Sequence, residues 1–254
     1  MGNDTRNLRR YQAKYVLGAA LVAPISPLLF LQGAITRWKI GVLPDAAGPK
    51  CGIVGDGKDP AKLFVLGEST VAGLGARTHE LGLAGQFARQ LNLRIGRSVE
   101  WKVLGKNGVT ARRTIDELLP EMPNGDFDYI LLGLGGNDVM KLTSPTKWRR
   151  DMLELIGILQ ERCSGSYIFI ANCPMVILTN AIPPPSKQLL WELSKLHDAN
   201  IREFTANMDH VFYYPQPVNI NLKGFFADGV HPSEKGYAEW SAAMMKYFSE
   251  NHKW

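Results

Sequence analysis

Three side chains in this 254-residue sequence have the types that acyl-transfer chemistry needs: Ser69, Asp228 and His231. A serine hydroxyl is a poor nucleophile at neutral pH and requires an adjacent base. Imidazole titrates near neutrality and both takes and returns a proton, so His231 is the candidate base. Asp228, in Asp228-Gly229-Val230-His231, can accept from the other ring nitrogen and stabilise the imidazolium. That short spacing lets one loop carry both groups. Each residue also has a plainer reading. Ser69 lies in Leu66-Gly67-Glu68-Ser69-Thr70-Val71-Ala72-Gly73-Leu74-Gly75, where an apolar run gives way to glycines. A strand that turns into a helix there would make Ser69 a helix cap as readily as a nucleophile. His231 alone reads as a surface histidine.

What decides between these readings is the set of elements that position the residues. The stretches 62–66, 99–104, 129–134, 167–171 and 211–214 read as strands, and 129–134 is apolar throughout, as a strand buried on both faces should be. Helical periodicity covers 79–93, 112–119, 148–161, 186–207 and 233–248, with Ser186 and Ser233 at the start of the last two. Strands alternating with helices predict an α/β fold, a three-layer α/β/α sandwich around a mostly parallel five-stranded sheet. Ligands of such sheets bind beyond the carboxyl ends of the strands. Those ends carry Ser69, then Gly105-Lys106-Asn107-Gly108-Val109-Thr110, then Gly133-Leu134-Gly135-Gly136-Asn137-Asp138.

Together these blocks resemble the SGNH hydrolases, also called the GDSL esterase/lipase family. The first family block, Gly-Asp-Ser, stands here as Gly67-Glu68-Ser69, and the second-block glycine matches Gly108. The third, Gly-x-Asn-Asp, is Gly135-Gly136-Asn137-Asp138, and the last, Asp-x-x-His, is Asp228-Gly229-Val230-His231. The resemblance implies a flavodoxin-like fold and a serine esterase or lipase working through an acyl-enzyme. It implies a catalytic set of Ser69, Asp228 and His231, with the Ser69 and Gly108 N–H groups and the Asn137 amide as oxyanion donors. Neither a cofactor nor a metal is expected. Glu68 departs from the family's usual Asp, which puts the hydrogen bonds of the serine turn in question. The implied substrate is a small-molecule carboxylic ester, with apolar or lipid-like acyl groups preferred; a carbohydrate O-acetyl ester or a thioester is the alternative. A non-catalytic binding module is the reading from another class.

The net charge of +5 is confined to residues 1–50, which hold seven Lys/Arg and two acids. The remaining 204 residues balance 22 against 22, so nucleic acid is not an expected partner. Cys51, Cys163 and Cys173 have no metal-ligand spacing and demand no disulfide. Residues 15–36 contain no charge and follow Arg6, Arg9, Arg10 and Lys14, with Arg37 and Lys39 behind them. That pattern predicts association with a membrane surface, with a bend at Pro24 and Pro27. A secretory signal or a core helix are alternatives, and with them a secreted or a soluble cytoplasmic protein. Residues 1–50 are thus expected to form a membrane-associating segment and linker, and 51–254 the hydrolase domain. The connections at 140–147, 173–187 and 215–227 should rim the site, bringing Val176, Ile177, Leu178, Ile182, Phe225 and Phe226 as candidate acyl-pocket residues.

Overall fold

The computed structural model describes residues 2–217 and 221–254; part of the 215–227 connection therefore lies outside the described residues. Six strands form one sheet: β1 (Cys51–Val54), β2 (Ala61–Gly67), β3 (Val99–Gly105), β4 (Tyr129–Gly133), β5 (Tyr167–Ile170) and β6 (Val211–Tyr213). Their spatial order is β1-β3-β2-β4-β5-β6. All five strands expected from the sequence are present and mutually parallel. The sixth, β1, is antiparallel and pairs with β3 from the edge. Its four residues are exposed or half-buried in alternation, so it lacks the apolar run that marks a buried strand. The chain goes from β2 outward to β3 on one side and then to β4 on the other, which makes the end of β2 the point where a crevice opens.

Alternate side chains of the strands supply two separate cores. Phe64, Leu66, Ile130, Leu132, Ile168 and Ile170 pack under α6 (Pro145–Arg162) and α7 (Ser186–Thr205), where Trp148 is fully buried. Leu63, Val65, Leu131 and Phe169 face α3 (Leu83–Ile95) and α8 (Glu234–Asn251) through Phe87, Leu91, Met244 and Phe248. Fully burying each such side chain contributes about 1.5–3 kcal/mol. Ser233 caps α8, accepting from the Gly236 N–H at 3.1 Å. Ser186 does not cap α7, because its hydroxyl is directed at Gln32 in the N-terminal segment. The helical stretch expected at 112–119 is a short α-turn (Ala111–Arg113) followed by π and 3-10 turns ending at Glu121.

The N-terminal segment is α1 (Gly2–Val22) and α2 (Ser26–Ile40), separated by a 3-10 turn at Ala23–Ile25 that contains Pro24. Residues Thr5–Ile40 have a mean hydropathy of 1.8 in their most apolar window, and none of that window is buried. The core-helix alternative therefore does not hold. Polar side chains tie both helices to the domain: Asn7 donates to Glu203 at 2.9 Å, Tyr15 to the Leu142 carbonyl at 2.8 Å, and Gln32 to the Pro184 carbonyl at 2.9 Å.

Candidate active site

The site begins where three neighbouring strands end at one level. Gly67 of β2 pairs with Gly105 of β3 on one side and with Gly133 of β4 on the other. The approach is close enough that a Cβ on Gly67 would lie 2.1 Å from the Gly133 carbonyl oxygen. The chain then coils tightly, with the Val71 and Ala72 N–H groups both donating to the Glu68 carbonyl at 2.9 Å. No regular helix starts here; α3 begins only at Leu83. Ser69 is therefore not a helix cap. It sits on a turn at the mouth of the crevice with 8% of its surface exposed.

The loop before α8 brings the other two groups to it. The Ser69 Oγ lies 3.2 Å from His231 Nε2, and His231 Nδ1 lies 2.8 Å from Asp228 Oδ2. Asp228 Oδ1 accepts from the Val230 and His231 N–H groups at 2.8 and 2.7 Å. Burial pushes the Asp228 carboxyl up, but the His231 ring and these two N–H groups outweigh it and hold it down at about 2. A charged Asp228 fixes the proton on His231 Nδ1 and leaves Nε2 free to accept from the serine. Groups separated by up to 162 positions in the sequence thus form one hydrogen-bonded line.

Gly108 and Asn137 lie on the two strand ends flanking Ser69, and both line the same cavity. Gly108 has φ of +81°, a conformation that favours glycine. Its carbonyl accepts from Lys141 Nζ at 2.6 Å and from Arg113 at 3.1 Å. Asp138 links the two flanking loops, since its buried Oδ2 accepts from the Ala111 N–H at 2.9 Å.

Glu68 has a part that sequence reasoning missed. Its Oε1 accepts from the Gly136 N–H at 2.7 Å, and its Oε2 accepts from the Asn137 N–H at 2.7 Å and from Asn137 Nδ2 at 2.6 Å. The acid next to the serine thereby holds the asparagine 69 residues away. Only the departure from aspartate in the first block pointed to this position. Burial raises the Glu68 carboxyl to about 7 despite its three N–H donors, and burial likewise raises Asp138 to about 6. A carboxyl raised in the folded state stabilises the fold below its unfolded value and loses that contribution as pH rises through the folded value. Acidification from pH 8 to 5 should therefore raise Tm, with Glu68 contributing on the order of 2 kcal/mol. Thermal melts of wild type and Glu68→Gln across that range check it; equal slopes would remove Glu68 as the source.

The cavity in front of Ser69 has a volume of about 1790 Å³. Five of the six candidate acyl-pocket residues line it: Val176, Leu178, Ile182, Phe225 and Phe226. Ile177 does not, and is 38% exposed. Val176 and Ile182 also pack with Val139 and Leu190 in a small core of their own, so both readings of these loop residues hold at once. His197, outside the site, is a core histidine that stacks on Trp148 and bonds the Thr143 carbonyl through Nε2 at 2.9 Å, while its buried Nδ1 has no partner among the described residues.

Residues 65–239 match the sequence model of the GDSL-like Lipase/Acylhydrolase family. No curated protein matches the chain in sequence. Among solved structures, a lipase from a goat rumen metagenome is similar at 17% identity and a TM-score of 0.57, over 75% of this chain and 96% of that one. An esterase from Pseudoalteromonas sp. is similar at 16% identity and a TM-score of 0.53, over 75% and 99%. An active-site mutant of a family two carbohydrate esterase from Clostridium thermocellum is similar at 16% identity and a TM-score of 0.53. That last likeness covers 76% of this chain and 65% of the other, just under two thirds of its length. At these identities the likeness is one of fold: a mostly parallel sheet with helices on both faces.

Proposed function

The chain belongs to the GDSL-like lipase/acylhydrolase family, and from that membership we propose that it hydrolyses carboxylic esters through an acyl-enzyme on Ser69. The observation that carries this is the unbroken line from Ser69 Oγ through His231 to Asp228, at 3.2 and 2.8 Å. In this reading Ser69 Oγ attacks the ester carbonyl carbon while His231 Nε2 takes its proton. The oxyanion receives hydrogen bonds from the Ser69 and Gly108 N–H groups and from Asn137 Nδ2. Collapse breaks the bond to the alkoxy oxygen, which leaves as the alcohol with the proton from His231. Water then attacks the acyl-Ser69 ester, gives a proton to His231, and the acid departs as Oγ recovers that proton.

Two features support a working site over a binding module. Among the described residues, the Ser69 and Gly108 N–H groups have no backbone acceptor, so they remain open to an incoming oxygen. Asn137 Nδ2 carries two hydrogens, of which Glu68 takes one and leaves the other. Apolar acyl groups suit the cavity better than an acetylated sugar, because Val176, Leu178, Phe225 and Phe226 supply its rim. The uncharged N-terminal segment, with its basic flanks, suits attachment at an anionic membrane surface.

The experiment is a substrate panel on the full chain: p-nitrophenyl esters of two to sixteen carbons, an acyl thioester and acetylated xylan. Turnover should rise with chain length and exceed that on the glycan about tenfold, a difference of roughly 1.4 kcal/mol. Preference for the glycan would move the assignment to a carbohydrate O-acetyl esterase. A folded sample that turns over no member of the panel and takes no fluorophosphonate on Ser69 would be a binding module.

A further inference from the structure

The cavity that contains Ser69, Asn137 and His231 is not closed by the α/β domain alone. Part of its wall comes from the N-terminal helices: Leu21 of α1, and Phe30, Ala34 and Ile40 of α2, line it together with the serine and histidine. The opposite flank of α2, with Leu28, Leu31 and Ile35, lines a second cavity with Asn180, Ala181 and Pro183. A helix that is apolar all round belongs in a core or in lipid, and α2 has no buried residue. Leu28, Phe30, Leu31 and Trp38 stand 59–80% exposed.

The few polar side chains of the segment are used to hold it against the domain. Asn7 and Tyr11 reach Glu203 near the end of α7, and Gln32 reaches Pro184 and Ser186 at its beginning. Beyond α2 the chain rejoins the serine turn, where the Ala46 N–H donates to the Ala72 carbonyl at 2.9 Å. The segment is thus tied near the start of α1, in the middle of α2 and beside Ser69. Its charge is also segregated. Arg6, Arg9 and Arg10 precede the apolar stretch and Arg37 and Lys39 follow it, while the rest of the chain is neutral. Basic flanks around an exposed apolar stretch match an anionic lipid surface. The volume of about 1790 Å³ exceeds the roughly 300–1,000 Å³ typical of small-molecule sites.

We propose that α1 and α2 serve both as the membrane contact and as a wall of the substrate site, so that the ester cleaved at Ser69 is a bilayer amphiphile whose acyl chain reaches the serine along the Phe30–Ala34 side of α2. This rests on the ester-hydrolase reading above. It adds the source of the substrate and a specificity determinant outside the family-matched residues 65–239. Leu28, Leu31 and Ile35 then face lipid or the Asn180–Pro183 loop and do not touch the chain being cleaved.

The test uses the full chain on vesicles of phosphatidylethanolamine and phosphatidylglycerol, with p-nitrophenyl palmitate in the bilayer and p-nitrophenyl acetate in water. Ala34→Trp narrows the cavity face of α2, and Gly33→Leu is a second, milder variant where an added side chain meets nothing within 4 Å at its Cβ. The palmitate-to-acetate ratio of kcat/KM should fall at least tenfold in Ala34→Trp and severalfold in Gly33→Leu. Ile35→Trp, on the other flank, should leave the ratio within twofold of wild type. Fluorophosphonate labelling of Ser69 verifies that each variant is folded. An unchanged ratio in both cavity-side variants, or an equal fall in Ile35→Trp, overturns the proposal. So does a wild-type protein that cleaves acetate but not vesicle-borne palmitate, an outcome that leaves the ester-hydrolase reading standing. A wild type inactive on both esters and unlabelled at Ser69 removes that reading and this one with it.

Discussion

Ser69→Ala is expected to lower kcat about a million-fold, the loss seen when one member of a serine–histidine pair that acts as a unit is removed. The size follows from what disappears. Without Oγ there is no atom to carry the acyl group, and His231 Nε2, now 3.2 Å from nothing, has no proton to receive. The turn itself should survive, because it is closed by main-chain bonds from Val71 and Ala72 to the Glu68 carbonyl. Tm should therefore stay near that of wild type, KM should change little, and fluorophosphonate should no longer label the protein. A thermal melt, steady-state turnover of p-nitrophenyl esters and mass spectrometry of the labelled protein read the three in turn. A variant within tenfold of wild-type kcat would take Ser69 out of the mechanism.

Asn137→Ala should cost about 10²–10³ in kcat, the usual effect of deleting one side-chain donor to an oxyanion. Here the loss has a second source, because Asn137 Nδ2 is also a ligand of the buried Glu68 carboxyl at 2.6 Å. Glu68→Gln separates the two. Glutamine keeps the shape but offers one carbonyl oxygen and an NH2 group to three N–H donors, so at least one bond is lost. Since bonds to a charged group are worth about 1.5–3 kcal/mol, Glu68→Gln should lower kcat about tenfold or more with KM nearly unchanged. It should also alter the acid limb of the kcat profile, because wild-type Glu68, whose carboxyl is raised to about 7, loses its charge there and holds its three N–H donors more weakly. A pH profile superimposable on wild type would make Glu68 structural only. Below pH 7 the fold gains stability from the proton that loosens Asn137, so stability and turnover run in opposite directions across that range.

The parts of this protein legible in the sequence are those whose signal is local. The central strand β4 shows as an apolar run, and Ile130, Leu131 and Leu132 at 0% exposure leave no ambiguity; β3 shows as an alternation instead, with Val99, Trp101 and Val103 buried between half-buried Glu100 and Lys102. β1 had no such signal, since an edge strand of four residues needs only one partner and no buried face. The helical periodicity read over 79–93 begins four residues before α3, because residues 79–82 form the turn that precedes the helix. The candidate residues Ser69, Gly108, Asn137, Asp228 and His231 are legible because each follows a strand or precedes a helix in a recognisable block. Glu68 was found but not understood, because its partners lie 68 and 69 residues away. The placement of α1 and α2 beside the serine had no local signature at all. Apolar composition tells that a segment avoids water, not which cavity it borders.

Asp228 and His231 are bound to each other by the ring and by main-chain N–H bonds, and the Ala227 N–H closes the same loop onto the His231 carbonyl at 2.8 Å. Thr179 holds the loop from outside through the Gly229 carbonyl. Ser69 belongs to the sheet instead. The candidate nucleophile and its candidate base therefore lie on two segments that meet at the Oγ–Nε2 pair and are braced beside it, where Arg77 bonds Glu234, Tyr237 donates to the Leu74 carbonyl, and Gly75 lies so close to Pro232 that a Cβ would stand 2.2 Å from its carbonyl oxygen. A loop displaced against that bracing would lengthen the Oγ–Nε2 distance while His231 kept its bond to Asp228.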